Sequence, residues 1–205
     1  MAVITISRQF GAGGITLGKM VAEKLGYTFV DNEIIQMVAT DAKVSTTWVE
    51  SLEKEAGGTL QRLITNLVSK SLVERILSGE RGYLDEEIYV DTLRKIITKL
   101  AEADNVVIIG RGGQYILKDD PKTIHLLLIG DLEHRVQFME NHYDLTNKQA
   151  TQAVTLDDRR RVNLYRKFGK EDYDNPDLYH LVLNMSRVEL NKARDLVVKL
   201  VSLTA

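Results

Sequence analysis

Ile4-Thr-Ile-Ser-Arg-Gln-Phe-Gly-Ala-Gly-Gly-Ile-Thr-Leu-Gly-Lys19 runs from a strand through a glycine turn into a helix without interruption. Val3, Ile4 and Ile6 make a short β-branched run, which favours an extended backbone. Gly11, Gly13 and Gly14 supply the turn, and Leu17, Met20, Val21 and Leu25 recur at helical spacing. A strand, tight glycine turn and helix start direct free backbone N–H groups at an anion, so the stretch reads as a phosphate-binding loop.

The surrounding chain fits that reading. Its 205 residues suffice for one substantial domain, 1–205. A net charge of −2 argues against a general nucleic-acid binder. The absence of cysteine removes disulfides and thiolate chemistry. No apolar run approaches the ~20 residues of a membrane span, and the first one is too short for a signal peptide. A cytoplasmic protein with no membrane partner is expected, and its association with a second copy stays open.

Strand signals at 27–30, 106–109, 123–129 and 180–184 alternate with helical ones at 33–40, 131–142, 147–167 and 188–203. That alternation predicts an α/β fold, a parallel sheet with helices on both faces. Residues 41–104 differ, carrying two apolar helical stripes, Leu60 to Leu77 and Ile88 to Leu100, and read as a helical insertion. Gly26 is the expected cap of the first helix, Asp131 that of a later one, and Ser45-Thr-Thr47 a third. His125, in an apolar strand, reads as a hydrogen-bonded structural histidine.

Literal pattern matching finds Gly13-Gly-Ile-Thr-Leu-Gly18-Lys19, which satisfies G-x-x-x-x-G-K. Helical phase argues against that register. It puts Lys19 inside the helix, whereas a phosphate-binding lysine belongs at the first turn. Lys19 is expected to be a solvated helix lysine.

In the other register, Ile6-Ser-Arg-Gln-Phe-Gly-Ala-Gly-Gly14, Ala22-Glu-Lys-Leu-Gly26 and Asp31 resemble the cytidylate kinase-like family of P-loop nucleoside monophosphate kinases. Bacterial cytidylate kinases carry Gly-Ala-Gly-Lys-Gly-Thr-Leu where this chain has Gly11-Ala-Gly-Gly-Ile-Thr-Leu17. The resemblance implies a P-loop NTPase-like sheet, with 41–104 binding the acceptor and 150–175 forming a basic lid. It implies ATP and Mg, and phosphoryl transfer to a nucleoside monophosphate, CMP or dCMP first. Gly11, Ala12, Gly13, Gly14, Ile15 and Thr16 then hold the donor phosphates, with Thr16 also toward Mg.

Gly14 stands where the family has its lysine, while Arg8 stands where its loop begins with glycine. Arg8, at the strand end, is the expected substitute cation, suited to bidentate phosphate contact. Arg111, in Gly110-Arg-Gly-Gly113, matches the arginine of the family's Gly-Arg-Asp that holds the acceptor phosphate, with Gly112 replacing the aspartate. Asp31 matches an acceptor-side aspartate. Arg159 and Arg161 match the Asp-Asp-Arg-x-Arg lid, and Arg135 falls near a donor-site arginine. Asp157-Asp158 and Glu171-Asp172-Asp174 flank the basic run and weaken a nucleic-acid reading. Two rivals accompany the kinase: a nucleotide-binding regulator without turnover, and a P-loop kinase with another acceptor.

Overall fold

The structure, a computed structural model, describes residues 2–31, 86–169 and 174–204. The helix expected at 33–40, the cap at 45–47, the Leu60 to Leu77 stripe and the acidic pair Glu171-Asp172 lie outside those residues. Five strands are described: β1 (Val3–Arg8), β2 (Thr28–Val30), β3 (Val106–Ile109), β4 (Thr123–Ile129) and β5 (Leu181–Asn184). All pair parallel in the order β2-β3-β1-β4-β5. The helices are α1 (Gly14–Leu25), α2 (Glu86–Glu102), the single turn α3 (Gly113–Ile116), α4 (Leu132–Tyr143), α5 (Asn147–Lys167) and α6 (Leu190–Thr204). Among the described residues no helix is long and apolar enough to cross a membrane.

β1 lies between β3 and β4, and its first five residues are buried. Alternation sends its side chains to two different cores. Ile4 and Ile6 join Val107, Ile109, Leu126 and Leu128 beneath α1 and α6, packed on Leu17, Val21, Val197 and Val201. Val3 faces the other way with Val30, Val106 and Ile108, covered by Leu93, Ile96, Ile97 and Leu100 of α2. Each such side chain contributes about 1.5–3 kcal/mol through burial. The last helix of the 41–104 stretch is thus a core layer over the sheet.

The glycine cap holds: Gly26 has φ 69° and its N–H reaches the carbonyls of Ala22 and Glu23. Asp131 caps α4 by position, while its own N–H donates to Ser186 Oγ at 2.7 Å. The start of α5 is a capping box. Thr146 accepts from the Gln149 N–H, and Gln149 Oε1 accepts from the Thr146 N–H at 2.9 Å.

His125 is structural, as expected. It is buried beside Thr5, whose Oγ1 lies 2.6 Å from its Nδ1, and its backbone N–H donates to His180 Nδ1 at 3.0 Å. Burial, then His180, lowers its pKa from 6.5 to about 4. The unfolded chain therefore binds a proton in that window that the folded protein excludes. The stability this contributes is present above about pH 6.5 and is lost as pH falls toward 4, by about 3 kcal/mol at most. Urea titrations between pH 7 and 4.5 are expected to show that slope, and His125→Asn is expected to flatten it.

Candidate phosphate-binding site

The site forms where the carboxyl ends of β1, β3 and β4 meet α1, α4 and α5. After Arg8 the chain stays stitched to β4, since the Gln9 N–H donates to the Leu128 carbonyl at 2.9 Å. Gln9 Oε1 also accepts the Gly130 N–H at 3.0 Å. Gly11 and Gly13 adopt φ of 82° and 77°, and α1 begins at Gly14. Gly11 is required twice over, because a Cβ there would lie 2.6 Å from the Arg135 carbonyl oxygen. The first-turn N–H groups of α1 have no intrahelical acceptor. A cleft beside them is lined by the loop residues Arg8, Gly11, Gly13, Gly14, Ile15 and Thr16 and by Phe10, Phe138, Met139 and Tyr143. Ala12 is turned into the core.

Gly14 and Arg8 are in contact. A Cβ on Gly14 would lie 2.8 Å from Arg8 Cγ, 3.1 Å from Cδ and 3.2 Å from Cβ. The arginine stem therefore runs over the first residue of α1, where a side chain of that residue would begin. Burial above all, and the guanidiniums of Arg161 and Arg111, lower the Arg8 pKa against the opposing pull of Tyr165 and Asp157. An arginine lowered from 12.5 remains charged at neutral pH.

The competing register has a structural explanation. Gly18 is buried mid-helix, and a Cβ there would lie 2.7 Å from Ile109 Cδ1 and 2.8 Å from Phe29 Cε2. It permits close packing of α1 on the sheet. Lys19 is exposed, with its ammonium 5.7 Å from the Phe29 ring centroid.

Arg135 braces the loop from behind. Its Nε donates to the Gly130 carbonyl at 3.0 Å, and its Nη1 donates to the Phe10 carbonyl at 3.0 Å and to Asp158 Oδ2 at 2.8 Å. Asp158 Oδ1 accepts the Phe10 N–H at 3.2 Å. Both backbone groups of Phe10 are thus held by one ion pair.

On the β3 side, Gly110, Arg111 and Gly112 all have positive φ, at 69°, 53° and 74°. Arg111 is the unusual member, since a left-handed conformation is costly for a residue bearing a Cβ. Gly112 is covered by Phe168, whose Cζ would lie 2.7 Å from an added Cβ. Asp31 is half-buried just past β2, the strand next to β3, so it and Arg111 occupy adjacent strand ends.

The basic segment is continuous helix to Lys167, and it separates the two arginines expected to act together. Arg161 turns inward to a bidentate pair with Asp174 and stacks over Tyr165 at 5.2 Å. Burial opposes its charge, but Tyr165 and Asp174 more than offset this and its pKa rises. Arg159, two residues away and so on another face, is exposed, as is Arg166. The guanidiniums of Arg161 and Arg111 both act on that of Arg8, at one end of the sheet. In the sequence Asp158 and Asp174 read only as flanking charge. Their partners lie 23 and 13 residues away, and no local spacing signals either pairing. Among the described residues no group of three or more His, Asp or Glu gathers as a metal site.

The family model described as the cytidylate kinase-like family matches residues 3–187. Among solved structures, the chain is similar to an uncharacterized protein from Eubacterium ventriosum, at 18% identity over 98% of each chain with a TM-score of 0.69. It is also similar to TT1252 from Thermus thermophilus, at 18% identity over 100% of this chain and 98% of that one, with a TM-score of 0.50. A gluconokinase from Sinorhizobium meliloti shares the fold at 12% identity over 99% of this chain and 93% of that one, with a TM-score of 0.50. No curated protein matches the sequence. The sheet, the glycine loop at the end of β1 and the helices on both faces are those of a P-loop kinase fold, and the chain belongs to the cytidylate kinase-like family.

Proposed function

We propose that this protein transfers the terminal phosphoryl group of ATP to a nucleoside monophosphate, with CMP and dCMP as the first acceptors to test. One observation carries the reading: the Arg8 stem lies over Gly14, so a cation is delivered to the glycine loop from the strand side. The N–H groups of the Gly11–Thr16 turn cradle the donor phosphates, and Arg8 supplies the charge that a loop lysine provides elsewhere in the family. Arg111 holds the acceptor phosphate, with Asp31 at the neighbouring strand end. Arg161, beside Arg8, and Arg159, from solvent, neutralise charge on the group in transfer.

An acceptor phosphate oxygen forms the new P–O bond as the bond to the ADP leaving group breaks. Because that oxygen is already anionic, the protein needs no general base and acts by positioning and electrostatics. The residues present fit Mg arriving with the nucleotide: Thr16 is half-buried in the first turn of α1 and lines the cleft, and its hydroxyl would join the phosphates in holding the ion. Bound there, Mg neutralises the phosphates and orients the terminal one.

One observation favours a different acceptor within the same reaction class. Phe168 covers Gly112, so an aromatic ring stands where cytidylate kinases present a carboxylate. The test is ADP production from Mg-ATP against a panel of nucleoside monophosphates and small hydroxyl acceptors, with ATP binding measured separately. Turnover with CMP or dCMP is the expected result. Turnover confined to another acceptor would move the assignment to that compound, and binding without turnover would make the protein a nucleotide-dependent regulator. Absence of ATP binding would overturn the proposal.

A further inference from the structure

We infer that Asp158 is the positioning residue of the phosphate loop, joining the loop to the helix that carries Arg159 and Arg161. The inference rests on the kinase reading for its catalytic consequence, but its geometry stands without it. Asp158 has a different bond on each carboxylate oxygen: Oδ1 accepts the Phe10 N–H at 3.2 Å, and Oδ2 accepts Arg135 Nη1 at 2.8 Å. The same Nη1 donates to the Phe10 carbonyl at 3.0 Å. Phe10 is the residue before Gly11, and a Gly11 Cβ would collide with the Arg135 backbone, so the chain enters the turn through a fixed gap.

No lysine side chain at Gly14 is available to organise this loop around a ligand. The clamp sets its entrance beforehand, and charge-assisted hydrogen bonds suit that task. Asp157, the preceding residue, favours the charge on Arg8. Two consecutive carboxylates of α5 thus act on the two arginines that touch the loop, Asp157 on Arg8 and Asp158 on Arg135. Loop and basic helix are thereby set in register with each other.

The experiment compares wild type, Asp158→Asn and Asp158→Ala. In the ligand-free protein, amide exchange over residues 9–14 is expected to quicken by about 10-fold or more in Asp158→Ala. Asp158→Asn, which keeps an oxygen for the Phe10 N–H, should fall between. In turnover, Asp158→Ala is expected to raise KM for ATP by about 10- to 100-fold, because misplacing a binding group by about 1 Å has effects of that size. KM for the acceptor should stay within about twofold. Unchanged exchange over 9–14, or donor and acceptor KM rising together with a fall in Tm, would overturn the inference. A wild type that neither binds nor uses ATP would sink the kinase reading instead, with the exchange measurement still deciding the clamp.

Discussion

Arg8→Gly combined with Gly14→Lys is expected to restore turnover that either change alone destroys. Gly14→Lys by itself adds a Cβ 2.8 Å from Arg8 Cγ, with Arg8 Cδ and Cβ close behind, so stem and new side chain compete for one channel. Arg8→Gly alone empties the channel and removes the cation. Losing one preorganised charge at a site of phosphoryl transfer lowers kcat/KM by about 10²- to 10³-fold, and each single variant should show at least that. Together the changes give positions 8–14 the spacing G-x-x-x-x-G-K and let the ammonium approach from the helix side. Recovery to within about 10-fold of wild type would mean coupling of several kcal/mol between the two positions. The measurement is kcat/KM for ATP in all four proteins. Activity in Arg8→Gly equal to wild type would end the compensation idea. A double variant as poor as the product of the singles would reduce Arg8 to packing.

That coupling was half legible in the sequence. One cation missing from the loop and one gained at the strand end can be read from residues 8 and 14, because both lie within a single strand-turn unit. The choice of register was legible too, since helical phase alone removed Lys19, and the structure adds that Gly18 is there for Ile109 and Phe29. The parallel sheet followed from strands alternating with helices. Strand order did not, because hydrophobic period identifies a buried strand without identifying its neighbours.

The least legible part was the network behind the site. Arg135 reads in the sequence as a cation near the donor site, and its guanidinium is turned to Gly130, Phe10 and Asp158. Arg159 and Arg161 looked alike in a basic run, yet the helix sends one to solvent and one to Asp174 and Tyr165. Composition shows how much charge a segment carries. Only the packing of α5 against the loop shows which charges meet.

Gly112→Asp, which installs the side chain that cytidylate kinases have there, is expected to destabilise this protein by about 3 kcal/mol. Two effects combine. At φ 74° a residue with a Cβ adopts a left-handed conformation, costing about 1–2 kcal/mol. The Cβ also meets the Phe168 ring, 2.7 Å from Cζ and 2.8 Å from Cε2, and overpacking of that kind adds about 1–3 kcal/mol. A shift of the ring would disturb its own packing. Tyr115 lies against it with centroids 5.9 Å apart, and the Phe168 N–H donates to the Tyr165 carbonyl at the end of α5. Phe168→Ala is itself destabilising but removes the collision, so the double variant should be more stable than the two single losses predict, by about 1–2 kcal/mol. Urea unfolding of the four proteins at pH 7 supplies the cycle. Strict additivity would mean that backbone conformation alone reserves position 112 for glycine. Positive coupling would mean that the carboxylate and the ring are alternative walls for the same space beside Arg111, and that the change of wall came with the docking of α5 through Phe168.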